Sequence, residues 1–181
     1  PSLSEEMKSK STLIQPATQG CPEIYALKLN RIPTTDQQIS RCEIGTANPC
    51  HPAPGRVLMV MGATGAGKST LINGMANYIL SVKWEDNFRF KLITDEGSQS
   101  QAHSQTSAIT AYTFHKMEGS ALSYTLTVID TPGFGDTRGL ERDRMITAQI
   151  KNLFTICGDH GIFQLDGIGF VAQASLARLT H

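Results

Sequence analysis

Runs of apolar residues predict the strands of a sheet in the later part of the chain. Residues 57–61 (V-L-M-V-M) and 166–172 (D-G-I-G-F-V-A) have the apolar character of strands that are buried on both faces. Residues 110–117 and 124–129 are predicted to be two further strands, and the turn Glu118-Gly119-Ser120 between them indicates a hairpin.

Helical spacing of apolar residues predicts two helices between these strands. One runs from the end of residues 62–70 to about Val82, and the other covers about residues 140–156. Residues 97–107 are small, polar and aperiodic, which is typical of a loop, and long polar loops often carry function. Residues 83–93 show neither the apolar spacing of a helix nor that of a strand and are left unassigned.

The first 55 residues have a different character. Residues 1–20 are polar and aperiodic, as a flexible leader would be, and residues 48–55 are dense in Pro and Gly, as a connector would be. Residues 23–32 alternate apolar and polar positions and predict a short strand. We therefore expect a leader and connector over residues 1–55 and a globular domain over residues 56–181.

Composition narrows the classes of partner. The 16 Lys and Arg residues balance the 16 Asp and Glu residues, so nothing favours bulk attraction to nucleic acid or to an anionic membrane. No apolar run approaches the roughly 18–20 residues of a membrane span. The four cysteines form no C-x-x-C pair, which favours free thiols in the cytoplasm over disulfides or zinc. Because the chain begins with Pro1, we expect a fragment, and membrane association through a segment beyond either end stays open.

The strongest motif follows the first predicted strand. Residues 62–70 read G-A-T-G-A-G-K-S-T, which fits the phosphate-binding loop (P-loop) pattern G-x-x-x-x-G-K-[ST]. Glycines let successive N–H groups turn inward toward an anion; the lysine would reach the β- and γ-phosphates, and the following serine would join the Mg²⁺ shell. The candidate nucleotide-binding residues are Gly62, Ala63, Thr64, Gly65, Ala66, Gly67, Lys68, Ser69 and Thr70.

A second motif ends the hairpin. Asp130-Thr131-Pro132-Gly133 places a carboxylate at the tip of a buried strand, where it is suited to hold Mg²⁺ through water. Gly133 has no Cβ, so its N–H can approach a γ-phosphate. An ordinary Pro-Gly turn is the alternative, but the phosphate-binding loop upstream favours the functional interpretation.

These motifs and their flanks resemble the translation-factor-related GTPases. The extended runs G-A-T-G-A-G-K-S-T-L-I-N and D-T-P-G-F-G-D are similar to those of septins and immunity-associated GTPases. The resemblance covers about residues 56–180. It implies a three-layer α/β/α P-loop domain with a mostly parallel sheet, GTP or GDP and Mg²⁺ as ligands, and nucleotide-controlled assembly, with a homodimer or a higher assembly formed through the nucleotide face.

The resemblance, and one departure from the small-GTPase pattern, single out further residues. It implies a Mg²⁺-binding threonine before the second strand, for which Thr110 is the first choice and Thr106 the second; Thr110 can also be a plain strand residue. The segment S-L-A-R-L-T resembles one in immunity-associated GTPases and makes Arg178 a candidate for contact with the phosphates of a neighbouring subunit; a solvated arginine is the alternative. Phe134 stands where small GTPases have a water-orienting glutamine, which predicts slow hydrolysis.

No Asn/Thr-Lys-x-Asp motif that reads guanine follows Asp130, so we expect the chain to be truncated before its last strands and helices. Three hypotheses remain. The first is a slow Mg²⁺-dependent GTPase that acts as an assembly switch. The second is a GTP- or GDP-binding scaffold that does not hydrolyse, and the third is a P-loop ATPase or kinase.

Overall fold

The computed structural model describes residues 1–94, 108–134, 140–156 and 161–174. In chain order, the elements are α1 (Leu3–Lys10), β1 (Thr12–Gln15), β2 (Glu23–Ala26), β3 (Asn30–Ile32), β4 (Ile39–Ile44), β5 (Gly55–Gly62), α2 (Lys68–Ile79), β6 (Phe88–Lys91), β7 (Ile109–Phe114), β8 (Thr125–Asp130), α3 (Leu140–Thr155) and β9 (Gly167–Val171). In the described part of the chain, no helix has the length and apolar character needed to cross a membrane.

The main sheet has six strands in the order β3-β4-β7-β8-β5-β9. β5 pairs in parallel with β8 on one side and with β9 on the other, and β4 pairs in parallel with β7. β7 and β8 form the predicted antiparallel hairpin, and β3 lies antiparallel to β4. The α/β class is therefore confirmed, with a mixed sheet. Because β5 and β8 are parallel, the carboxyl ends of both strands meet at one edge of the sheet.

Side chains on the two faces of the main sheet belong to two separate apolar clusters. On one face, Val60 and Val128 pack with Ile72 of α2 and with a second, three-stranded sheet, β1-β2-β6. On the other face, Met59 and Ile129 pack with Leu153 of α3. Successive side chains of a strand point to opposite faces, which is why neighbouring residues of β5 and β8 join different clusters. The predicted helices at residues 71–82 and 140–156 are both present, with slightly different bounds.

Residues 1–55 differ from the flexible leader and connector expected from the sequence. The helix α1 starts at a capping box between Ser2 and Glu5 and buries Met7, which packs in the larger apolar cluster. The strand β4 extends the main sheet beyond β7, with Ile39 and Ile44 almost fully buried. Pairing partners about 70 residues away hold this short strand, so its local sequence carries little of the signal.

Three further assignments change. The strand predicted at residues 166–172 is present as β9, but it is not buried on both faces, since Ile168 and Phe170 are exposed. The single strand predicted at residues 23–32 is two strands: β2 lies in the small sheet and β3 in the main sheet. The unassigned residues 83–93 contain β6, whose Phe88 and Phe90 are buried in the larger cluster. The expected connector agrees with the structure over residues 48–54, which lie between β4 and β5 without regular secondary structure.

Candidate functional site

The phosphate-binding loop has the predicted strand before it and the predicted helix after it. β5 ends at Gly62, and α2 begins at Lys68. Gly65 and Gly67 have φ angles of 77° and 103°, in the left-handed region where a Cβ would be strained. The loop is closed by a hydrogen bond of 3.1 Å that the Ala66 amide donates to the Ala63 carbonyl. This geometry meets the structural condition for the motif.

Lys68 is buried inside this loop. Its Nζ donates to the carbonyl oxygens of Gly62, at 2.9 Å, and Ala63, at 3.1 Å, and only 9% of the residue is exposed. Burial lowers the pKa of the ammonium, while the nearby Asp130 carboxylate acts in the opposite direction. A buried ammonium held by neutral carbonyls is well placed to neutralise an arriving phosphate.

Asp130 ends β8 beside the loop. It pairs in register with Val60 of β5 and with Thr110 of β7, and only 5% of it is exposed. Burial raises the pKa of its carboxyl to about 6, against the attraction of Lys68, which lowers it. The carboxylate therefore carries a charge that the surrounding protein only partly compensates, and a bound cation would relieve this.

The segment after Asp130 lies directly against the loop. The Thr131 hydroxyl donates to the Val60 carbonyl at 2.9 Å, and the Phe134 amide donates to the Gly62 carbonyl at 3.2 Å. A Cβ built on Gly133 would overlap the Thr64 hydroxyl oxygen and come within 2.6 Å of the Thr64 amide nitrogen. The close approach of the two loops therefore requires glycine at position 133.

The structure places Thr110 opposite Asp130 in the antiparallel pair β7–β8, so their side chains share one face of the sheet. Burial raises the pKa of the Tyr112 hydroxyl, against a smaller lowering effect of the Thr110 side chain. Ser69 and Thr70 lie exposed in the first turn of α2. The fold thus brings Thr110, Ser69 and Asp130 to the same edge of the sheet as the loop.

Four of the predicted features lie outside the described residues. These are the polar loop at residues 97–107, the second-choice threonine Thr106 within it, the arginine Arg178 and the residues that follow Phe134 up to residue 139. Their roles stay predictions.

Gln173 is a site residue that the sequence analysis missed. It follows β9, and its Nε2 donates to the Gly65 carbonyl at 2.7 Å. This hydrogen bond ties the phosphate-binding loop to the end of β9. A usable signal existed, because a polar residue directly after a predicted parallel strand lies at the carboxyl edge where ligands bind in α/β sheets.

The oxygen atoms and the hydrogen-bond donors at this edge fit Mg²⁺ together with a triphosphate. Among the described residues, no group of three or more His, Cys, Asp or Glu side chains could hold a metal by itself. Magnesium in phosphoryl-transfer sites needs no such cage, since it uses one or two protein oxygens together with phosphates and water. The Ser69 hydroxyl and the Asp130 carboxylate supply oxygens of this kind, and the glycine-rich loop with Lys68 supplies donors for phosphate.

Comparison with known protein families adds to this geometry. The family model that matches is Septin, over residues 56–153, which is more than half of the chain. The chain belongs to the septin family. The matched range begins at β5 and includes the phosphate-binding loop, Asp130 and most of α3. Searches of curated proteins and of solved structures gave no significant match.

Membership of the septin family implies a P-loop GTPase fold with a guanine nucleotide as ligand, and typically oligomerisation. The match confirms the septin side of the resemblance. It does not extend to the features taken from immunity-associated GTPases.

Proposed function

We propose that this septin chain binds GTP together with Mg²⁺, hydrolyses it slowly, and uses the nucleotide state to control its assembly. The observation that carries the proposal is the buried ammonium of Lys68 inside a glycine-rich loop, with the buried carboxylate of Asp130 at the end of the neighbouring strand β8. Buried charges are costly unless they are paired or bind ligands. Here the ammonium would meet the negative triphosphate and the carboxylate would meet the positive magnesium ion.

Each residue has one role in this proposal. Amides of residues 63–70 and the Lys68 ammonium bind the phosphate oxygens, as glycine-rich loops at helix N-termini do. The hydroxyls of Ser69 and Thr110 and the carboxylate of Asp130 would hold Mg²⁺, which when bound neutralises charge that develops on the β- and γ-oxygens. Gly133 presents its N–H to the γ-phosphate from a backbone that already lies against Thr64.

Slow turnover follows from Phe134. Its amide is fixed on the Gly62 carbonyl, so its side chain starts beside the loop, yet a phenyl ring has no atom that can orient an attacking water. The same observation favours a second candidate function, a scaffold that binds GTP or GDP without turnover.

Several finer features belong to the same proposal. The two apolar clusters on opposite faces of the sheet support a three-layer α/β/α arrangement. Assembly would be a homodimer or a larger oligomer formed through the nucleotide face, with Arg178 reaching the partner's phosphates. The chain would act in the cytoplasm.

Isothermal titration with GTP, GDP and ATP, each with Mg²⁺, tests the binding step. We expect heat from both guanine nucleotides, little from ATP, and a loss of affinity for GTP in EDTA. The absence of heat with every nucleotide would refute the proposal.

Phosphate release separates the two candidate functions. We expect the rate per chain to rise with protein concentration and to fall in Arg178→Ala, with Arg144→Ala on α3 as the matched control arginine. Zero release at all concentrations would leave the non-hydrolysing scaffold as the function.

A further inference from the structure

Two asparagines of α2, one helical turn apart, bind the main chain of β6 and of the two residues that follow it, on the edge that faces the helix. Asn73 Oδ1 accepts from the amides of Leu92, at 2.7 Å, and Ile93, at 2.9 Å, and its Nδ2 donates to the Ile93 carbonyl at 3.3 Å. Asn77 Oδ1 accepts from the Phe90 amide and its Nδ2 donates to the Phe90 carbonyl, both at 2.8 Å. The two amides thus take the place of a neighbouring strand and close this edge of the small sheet.

Asn73 is also next to the candidate metal site. It follows Ser69 by four residues, so the two side chains lie on the same face of α2, one turn apart. Ser69 and Asn73 both line a groove of about 310 Å³ between α2 and β6, whose opposite wall includes Phe90 and Ile93. The serine that would bind Mg²⁺ and the end of β6 therefore share one short stretch of helix.

Asn73 holds the chain at the point where it leaves for the other candidate metal ligand. Its two acceptor bonds go to Leu92 and Ile93, directly after β6, and the chain then continues through Thr94 toward Thr110 at the start of β7. The start of that connection is thus fixed to the helix that carries Ser69.

We propose that Asn73 is a positioning residue for the metal-nucleotide site, which couples the end of β6 to Ser69 so that Mg²⁺·GTP binding also rigidifies Leu92 and Ile93. This inference rests on the proposed function, because it requires that the chain binds Mg²⁺·GTP. In this inference Asn73 touches neither phosphate nor metal. It acts through the main chain of Leu92 and Ile93, directly after β6, and through the first turns of α2.

Asn77 provides a matched control. It also makes three side-chain hydrogen bonds, two to Phe90 and one from Nδ2 to the Asn73 carbonyl at 2.8 Å, but it lies one turn further from the loop. Asn73→Ala and Asn77→Ala should therefore lower the urea midpoint by similar amounts. A purely structural role predicts equal effects of the two variants on nucleotide binding as well.

The test is titration of wild type and both variants with GTP, with Mg²⁺ and in EDTA. The quantity compared is the dissociation constant for GTP in EDTA divided by that with Mg²⁺. We expect this ratio to fall about tenfold in Asn73→Ala, equivalent to the loss of about one hydrogen bond. In Asn77→Ala it should stay within about twofold of wild type. Equal ratios in the two variants would overturn the inference. If wild type itself binds no GTP, the proposed function is what fails.

Hydrogen exchange gives a second readout. It uses the wild-type protein alone, so it does not require that the variants fold. Mg²⁺·GTP should slow exchange of the Leu92 and Ile93 amides more than that of the Phe90 amide, which Asn77 holds. Unchanged exchange at Leu92 and Ile93 in nucleotide-saturated protein would also overturn the inference.

Discussion

Replacing Asp130 by Asn should make the nucleotide-free protein more stable at neutral pH. The pKa of this buried carboxyl is raised from 3.8 to about 6, so the folded state binds its proton more tightly than the unfolded state does. Stability from this group is therefore fully present below pH 3.8 and is lost as the pH rises through about 6. A shift of about two pKa units corresponds to about 3 kcal/mol, which is the most that the Asp130→Asn substitution should add at about pH 7.5.

Urea unfolding of wild type and Asp130→Asn between about pH 4 and about pH 8, without nucleotide, measures this difference. Both proteins carry the same other titrating groups, so the difference between the two free energies of unfolding reports on Asp130 together with its interaction with Lys68. This difference in free energy of unfolding should be small near pH 4 and reach a plateau above about pH 7. Asp166→Asn is a control of opposite sign: a hydrogen bond from the Val57 amide and one from Arg56 lower the pKa of Asp166, so this variant should lose stability at neutral pH.

The reasoning about Asp130 is refuted if wild type and Asp130→Asn unfold with the same free energy at both ends of this pH range. Ligand should reverse the order of the two proteins. With saturating Mg²⁺·GTP, wild type gains stability from binding, and the variant, which has lost a carboxylate oxygen for the metal, should gain much less.

Four other outcomes follow from the site. Lys68→Ala should weaken GTP binding by about 10–100-fold in calorimetry, because it removes a charge-assisted contact to phosphate. Gly133→Ala should lower the free energy of unfolding by about 1–3 kcal/mol in urea, since its Cβ would overlap Thr64. Phe134→Gln should raise the single-turnover rate of GTP hydrolysis and leave GTP affinity unchanged, because it adds an amide that can orient water. Wild-type affinity for Mg²⁺·GTP should fall in titrations below about pH 6, where protons compete for Asp130.

The nucleotide-binding half of the fold could be predicted because its signals are local. The glycines of residues 62–67, the apolar run before them and the helical spacing after them lie within about 25 consecutive residues. The hairpin β7–β8 is similar, since a turn signal separates two strands that pair with each other. Asp130 could be placed beside the loop because strands of a parallel pair end at the same edge.

The features that the sequence did not reveal depend on partners far along the chain. β4 is a strand because β7 lies beside it, and Met7 is buried because it packs in the larger apolar cluster with residues far along the chain. Asn73 and Asn77 look like ordinary polar residues of an exposed helix face until β6 is placed against them. The raised pKa of Asp130 likewise comes from burial, which a sequence motif does not report.

The two motifs of this site share one hydrogen-bond acceptor, the carbonyl oxygen of Gly62. It accepts from Lys68 Nζ at 2.9 Å and from the Phe134 amide at 3.2 Å. We expect a phosphate that draws the ammonium away to remove one of these donors, which leaves the carbonyl to the Phe134 amide alone and should shorten that hydrogen bond. The coupling runs through the main chain. A side-chain change at Phe134 therefore leaves it intact, whereas a Cβ at Gly133, which would force the two loops apart, should break it.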